Sequence, residues 1–151
     1  MTTTALPLTP LAPLAAPVPR HVVALPCSLH SPAVARRIAA RWLRTAGYAH
    51  TADAVLIVSE LVTNAVRHTH GPCELTLTAH GGTVDIAVTD HSEDIPDLQG
   101  PAGGDRQGGL GLEIVRRLGG AITVVPRLGG KTVHAALHLH SPERERQGPP
   151  P

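Results

Sequence analysis

The segment "CELTLTAHGGTVDIAVTD" (73–90) constrains the fold more than any other part of the chain. Two runs alternate in polarity, are rich in β-branched residues, and flank "HGG" (80–82), a good loop for joining antiparallel strands. Side chains along a strand point to opposite faces in turn, so a hairpin patterned this way presents one apolar face that helices can cover. Two helical segments precede it. In "SPAVARRIAARWLRTAGY" (31–48) Ser31 is placed to cap the orphan N–H groups, Pro32 takes the first helical position and Gly47 ends the helix. Its apolar positions Val34, Ile38, Trp42 and Leu43 recur at helical spacing. A second helix runs from Thr51, its expected cap, to His68, and Gly71-Pro72 stops it.

"RHVVALP" (20–26) reads as a short strand, "GLGLEIVRRLGG" as a third helix bounded by glycines, and "AITVV" with "KTVHAALHL" as a final hairpin around "PRLGG". The order strand, helix, helix, hairpin, helix, hairpin predicts an α+β fold. It is a two-layer sandwich with helices on one face of a mixed, mainly antiparallel sheet. Five prolines within residues 1–19 predict an extended, disordered arm, and "SPERERQGPPP" from Ser141 predicts a disordered tail, leaving one folded domain over 20–140.

With no Phe, one Trp and one Tyr, the core must be built from Leu, Ile, Val and Ala. A formal charge of +1 supplies no basic field for nucleic acid and no polybasic membrane patch. No apolar run reaches the roughly 18 residues that a membrane helix needs. Two cysteines, Cys27 and Cys73, without CxxC spacing and without a signal-peptide pattern, imply reduced thiols in a cytoplasmic protein. The histidines include the close pairs His68/His70 and His138/His140, but no Cys/His quartet has zinc spacing.

Four features carry chemistry. On the second helix, "SELVTNAVRH" (59–68) sets Glu60, Asn64 and Arg67 in a narrow stripe beside the apolar arc of Val58, Leu61, Val62, Ala65 and Val66. Such a stripe is either a solvated face or part of a site covered by the long Gly/Pro/Asp loop that follows the hairpin. Asp90 ends a strand, where a carboxylate is a turn residue or an acceptor for an exocyclic amine. In "GGLGLEIVRRL", glycines 108, 109 and 111 open a helix, where backbone N–H groups and partial positive charge suit a phosphate chain. "GGKT" (129–132) starts the last strand.

In this order the four features resemble the boxes of the histidine-kinase/heat-shock-protein-90-like (GHKL) ATPase superfamily, and more closely its small stand-alone members, the anti-sigma-factor serine/threonine kinases. The resemblance spans about residues 20–140 and implies the two-layer Bergerat ATP-binding fold. It also implies ATP and Mg²⁺ as cofactors. Asn64 then gives an oxygen to Mg²⁺, Glu60 acts as the catalytic residue that orients or deprotonates the attacking group, and Arg67 and His68 face the phosphates. Asp90 reads the adenine amine, Gly108, Gly109, Leu110 and Gly111 give the phosphate contacts, Thr132 stands beside Asp90, and 97–107 form an ATP lid. One departure is visible: where the family pattern is D-x-G-x-G, this chain has Asp90-His91-Ser92-Glu93-Asp94. The implied activity is ATP-dependent phosphorylation of a Ser or Thr on a small antagonist protein, by a kinase that also sequesters a sigma factor and forms a homodimer. A non-catalytic docking module on the same fold is the alternative, and a plain ATPase needs the same Glu60.

Overall fold

The computed structural model describes residues 19–94, 110–117 and 120–139. The expected arm up to residue 18, the tail and the lid, together with Gly108 and Gly109, lie outside the described residues.

The elements follow in chain order: β1 (Arg20–Leu25), α1 (Ser31–Thr45), α2 (Ala52–His68), β2 (Cys73–His80), β3 (Thr83–Asp90), α3 (Leu110–Arg117), β4 (Ala121–Arg127) and β5 (Gly130–His138). One sheet holds the strands in the order β1-β2-β3-β5-β4. A mainly antiparallel sheet was expected, and every pairing among the described residues is antiparallel. The chain passes through α3 between β3 and β4, so β5 pairs with both β3 and β4.

Period two sorts the strands cleanly. Leu75, Leu77, Val84, Ile86, Val88, Val133, Ala135 and Leu137 share the face that carries the core, and all are buried. Above them lie Ala54, Ile57, Val58, Leu61, Val62 and Ala65 of α2, Val115 of α3, and Ala35, Ala39 and Leu43 of α1. The buried stripe of α1 is thus rotated from the expected one: Val34 and Trp42 pack at the margin of the core, while the two alanines take its centre. Small residues there let α1 pack closely along α2.

Neither predicted side-chain cap forms. His30 is the N-cap of α1, and Ser31, already in the first turn, donates its hydroxyl to the Pro26 carbonyl at 2.6 Å. Thr51 is the N-cap of α2 without a side-chain cap bond. The end of α1 is as predicted. Gly47 has φ +91°, and the N–H groups of Gly47 and Tyr48 bond the carbonyls of Arg44 and Leu43, a pattern that a left-handed residue makes possible. Tyr48 then donates its hydroxyl to the Gly81 carbonyl at 2.8 Å, tying the helix junction to the β2–β3 turn. No helix among the described residues is long and apolar enough to cross a membrane.

Candidate functional site

The polar stripe of α2 is not a plain wet face. Glu60 and Asn64 are half-buried, while Arg67 and His68 in the last turn are exposed. The helix lies on the core face of the sheet, against β3, and also packs on α3. Immediately before Glu60, the buried Ser59 accepts a hydrogen bond from Arg36 at 2.8 Å, which fixes the roll of α2 against α1.

The end of α2 meets the end of β3. The Thr69 hydroxyl accepts from the Gly71 N–H at 3.1 Å, turning the chain toward β2. A Cβ on Gly71 would lie 3.4 Å from the His91 ring, so the connection after α2 runs close by the residue that follows β3. At the start of β2, the Cys73 thiol is pushed up to about 11, first by burial, then by the negative charge of Asp90 and by Cys27. Cys73, a few residues beyond the end of α2, is thus close enough to Asp90 to feel its charge.

Asp90 itself is 4% exposed and lies on the core face. It is held on three sides. The Ser92 N–H donates to Oδ1 at 2.9 Å, closing a tight turn after the strand, and the ammonium of Lys131 donates to both Oδ1 and Oδ2 at 3.0 Å. Lys131, 2% exposed, donates its third hydrogen to the Ser92 carbonyl at 3.3 Å. A side chain at position 130 would collide with the Asp90 carbonyl, so glycine there lets β5 come close enough for this pairing.

Thr132 is placed differently from expectation. In the β3–β5 register Asp90 stands opposite Lys131, and Thr89 stands opposite Thr132. Facing residues of adjacent strands share a face and successive residues alternate, so Thr132 lies on the other side of the sheet from Asp90. Its hydroxyl pairs with that of Thr89 at 2.8 Å. Lys131 occupies the position beside Asp90 expected of Thr132. Sequence reasoning missed this residue, although the signal was there: counting by twos back from Leu137, Ala135 and Val133 puts 131 on the core face. Of the glycine run, Leu110 and Gly111 begin α3.

These residues fit a magnesium nucleotide in kind. A carboxamide and a carboxylate half-buried one turn apart on a helix suit a hard cation that takes oxygen ligands, whereas the strand-end carboxylate expected to meet a base amine already accepts from Lys131 and Ser92.

Residues 25–136 match the model of the histidine kinase-like ATPase domain, and the chain belongs to that family. Among solved structures, the RsbU and RsbW domains of Rv1364c from Mycobacterium tuberculosis match with a TM-score of 0.62 at 22% identity, over 83% of this chain and 33% of that one. That likeness establishes the shared fold. The Erythrobacter litoralis EL346 blue-light activated histidine kinase matches at 25% identity over 61% of this chain and 31% of that one, with a TM-score of 0.48. This chain thus spans about a third of the length of the solved chains it matches first. None of the curated proteins matches it.

Proposed function

We propose that this chain is an ATP-dependent regulatory serine/threonine protein kinase of the anti-sigma-factor type, acting in the cytoplasm. It transfers the γ-phosphoryl of ATP to a Ser or Thr of a small antagonist protein and sequesters a sigma factor. The observation that carries this reading is the Glu60–Asn64 pair, half-buried on a helix that packs on β3 and α3, together with the buried strand-end Asp90, in a chain of the histidine kinase-like ATPase family. The protein acceptor is inferred from the order of the four motifs, which resembles that of the anti-sigma-factor serine/threonine kinases.

In this reading Asn64 would hold Mg²⁺ through its carboxamide oxygen, and Arg67, His68 and the backbone of Gly108, Gly109, Leu110 and Gly111 would hold the phosphates. Bound Mg²⁺ supplies charge neutralisation on the phosphoryl group. Glu60 accepts the hydrogen bond of the incoming hydroxyl and orients it in line, which is most of what phosphoryl transfer asks of a protein. Asp90 marks the base end.

Incubation of the purified chain with radiolabelled Mg-ATP and candidate antagonist proteins tests the proposal. Labelled Ser or Thr on one antagonist is expected, and Asn64→Ala should reduce labelling by roughly 100-fold, the scale set by losing one charge-stabilising group. ATP binding without transfer to any antagonist would sink the kinase reading. A second reading, a docking module that does not turn over nucleotide, is favoured by one observation: the Asp90 carboxylate is already occupied by Lys131. Calorimetry showing no binding at millimolar ATP selects it.

A further inference from the structure

The carboxylate at the base end is not an open acceptor. Asp90 offers about four acceptor positions on its two oxygens. Three are filled, by the Ser92 N–H and by two hydrogens of the Lys131 ammonium. The third ammonium hydrogen goes to the Ser92 carbonyl, so Lys131 is saturated as well. Both side chains are buried, and among the described residues no buried side-chain nitrogen or oxygen lacks a partner.

We propose that Lys131 is the specificity-determining residue at the base end of the nucleotide site, and that by satisfying Asp90 it relaxes the selection for adenine. The proposal rests on the nucleotide reading above. Stringent selection by a buried polar group arises when the wrong ligand leaves that group unpaired; such sites discriminate by factors of about 10⁴ or more. Here the wrong base leaves nothing unpaired, because the Lys131 charge already neutralises the carboxylate. An incoming amine finds only the remaining lone pair on Oδ2, and a base with a carbonyl in that place meets a neutral pair rather than a bare anion. Lys131 therefore acts through Asp90, in the place where Thr132 was expected.

The test is calorimetric titration of the full chain with Mg-ATP and with Mg-ITP, whose base carries a carbonyl where adenine has its amine. The wild-type protein is expected to prefer ATP by less than about tenfold, well short of what a site built around an open acceptor achieves. Lys131→Thr opens the acceptors of Asp90, so the ATP-to-ITP ratio should widen by at least about tenfold, mainly through tighter ATP binding. Lys131→Gln, which still donates to Asp90 but carries no charge, should fall between the two. A wild-type ratio of about 100 or more would show that Asp90 reads the amine in spite of Lys131 and would overturn the proposal. An unchanged ratio in a folded Lys131→Thr protein overturns it equally. The wild-type ratio decides the question even if that variant fails to fold. Binding of neither nucleotide by wild type or variants removes the nucleotide reading itself, an outcome distinct from the other two.

Discussion

The two faces of the five-stranded sheet assign opposite tasks to residues that are neighbours in sequence. On the core face, alternate positions of β2, β3 and β5 are Leu, Ile, Val and Ala, and the row ends in the Asp90–Lys131 pair, almost without exposure. On the other face the same strands present Thr76, Thr78, Asp85, Thr89, Thr132 and His134. That face has a polar pair too, a hydrogen bond between His134 Nδ1 and Asp85 Oδ2 at 3.1 Å, but both side chains are 36% exposed. Water is a partner for the second pair in the unfolded and the folded protein alike. Among the described residues, the first pair has hydrogen bonds to itself and to Ser92.

Unfolding measurements on the two pairs should therefore give different answers. Asp90→Ala leaves the Lys131 ammonium buried without a counter-charge, and a loss of about 3–5 kcal/mol is expected in urea unfolding. Asp85→Ala should cost no more than about 1 kcal/mol, as exposed pairs do. Replacing both inner partners, Asp90→Leu with Lys131→Met, should recover much of the loss, since an apolar pair of similar volume avoids the desolvation cost. Equal losses at Asp90 and Asp85 would break the distinction between the faces.

The thiol of Cys73 gives a smaller effect with a definite sign. Burial comes first, then Asp90 and Cys27, in raising it from 9.0 to about 11. Below pH 9 both folded and unfolded chains keep this proton, and it contributes nothing to the pH dependence. Between about 9 and 11 the unfolded chain releases the proton while the folded chain retains it. Stability then falls as pH rises, by up to about 1.4 kcal/mol per pH unit. Cys73→Ala should flatten this slope in urea unfolding between pH 8 and 11. Retention of the full slope in that variant would assign it to other groups and remove Cys73 from the inner, desolvated set.

How far the chain could be read before its structure depended on the kind of signal. The strands were legible because alternation is dense and local: "CELTLTA" and "TVDIAVTD" became β2 and β3 with the turn where expected. The Gly47 stop was legible for the same reason, since a left-handed residue at a helix end is a local demand. The caps were not. Ser31 finds a better acceptor in the Pro26 carbonyl, a contact set by how β1 enters α1 and absent from any cap rule. Position on the α1 surface was also missed by one residue, because Ala35 and Ala39 look weakly apolar until α2 is laid against them. At the site, Asp90 was found by motif order. Lys131 was passed over because motif matching attends to residue type, whereas the face a residue occupies follows from counting along the strand.

Thr132 offers the finest test of that counting. Its hydroxyl lies 2.8 Å from that of Thr89, across two strands and on the face away from Asp90. Thr132→Val keeps the shape and removes the hydrogen bond, as does Thr89→Val. The double-mutant cycle between them should give a coupling of about 0.5–1.5 kcal/mol, the size of one neutral hydrogen bond. Both single variants should bind Mg-ATP with wild-type affinity, because neither side chain reaches the core face on which Asp90 stands. A selective loss of ATP binding in Thr132→Val, with the coupling to Thr89 absent, would mean that β5 pairs with β3 one residue out of the register described. A one-residue slip turns every side chain of a strand to the opposite face. It would place Lys131 outside and Thr132 beside the acid. It would also turn Val133, Ala135 and Leu137 out of the core together, so a slipped strand should show at the same time as a loss of several kcal/mol in urea unfolding of the wild-type protein.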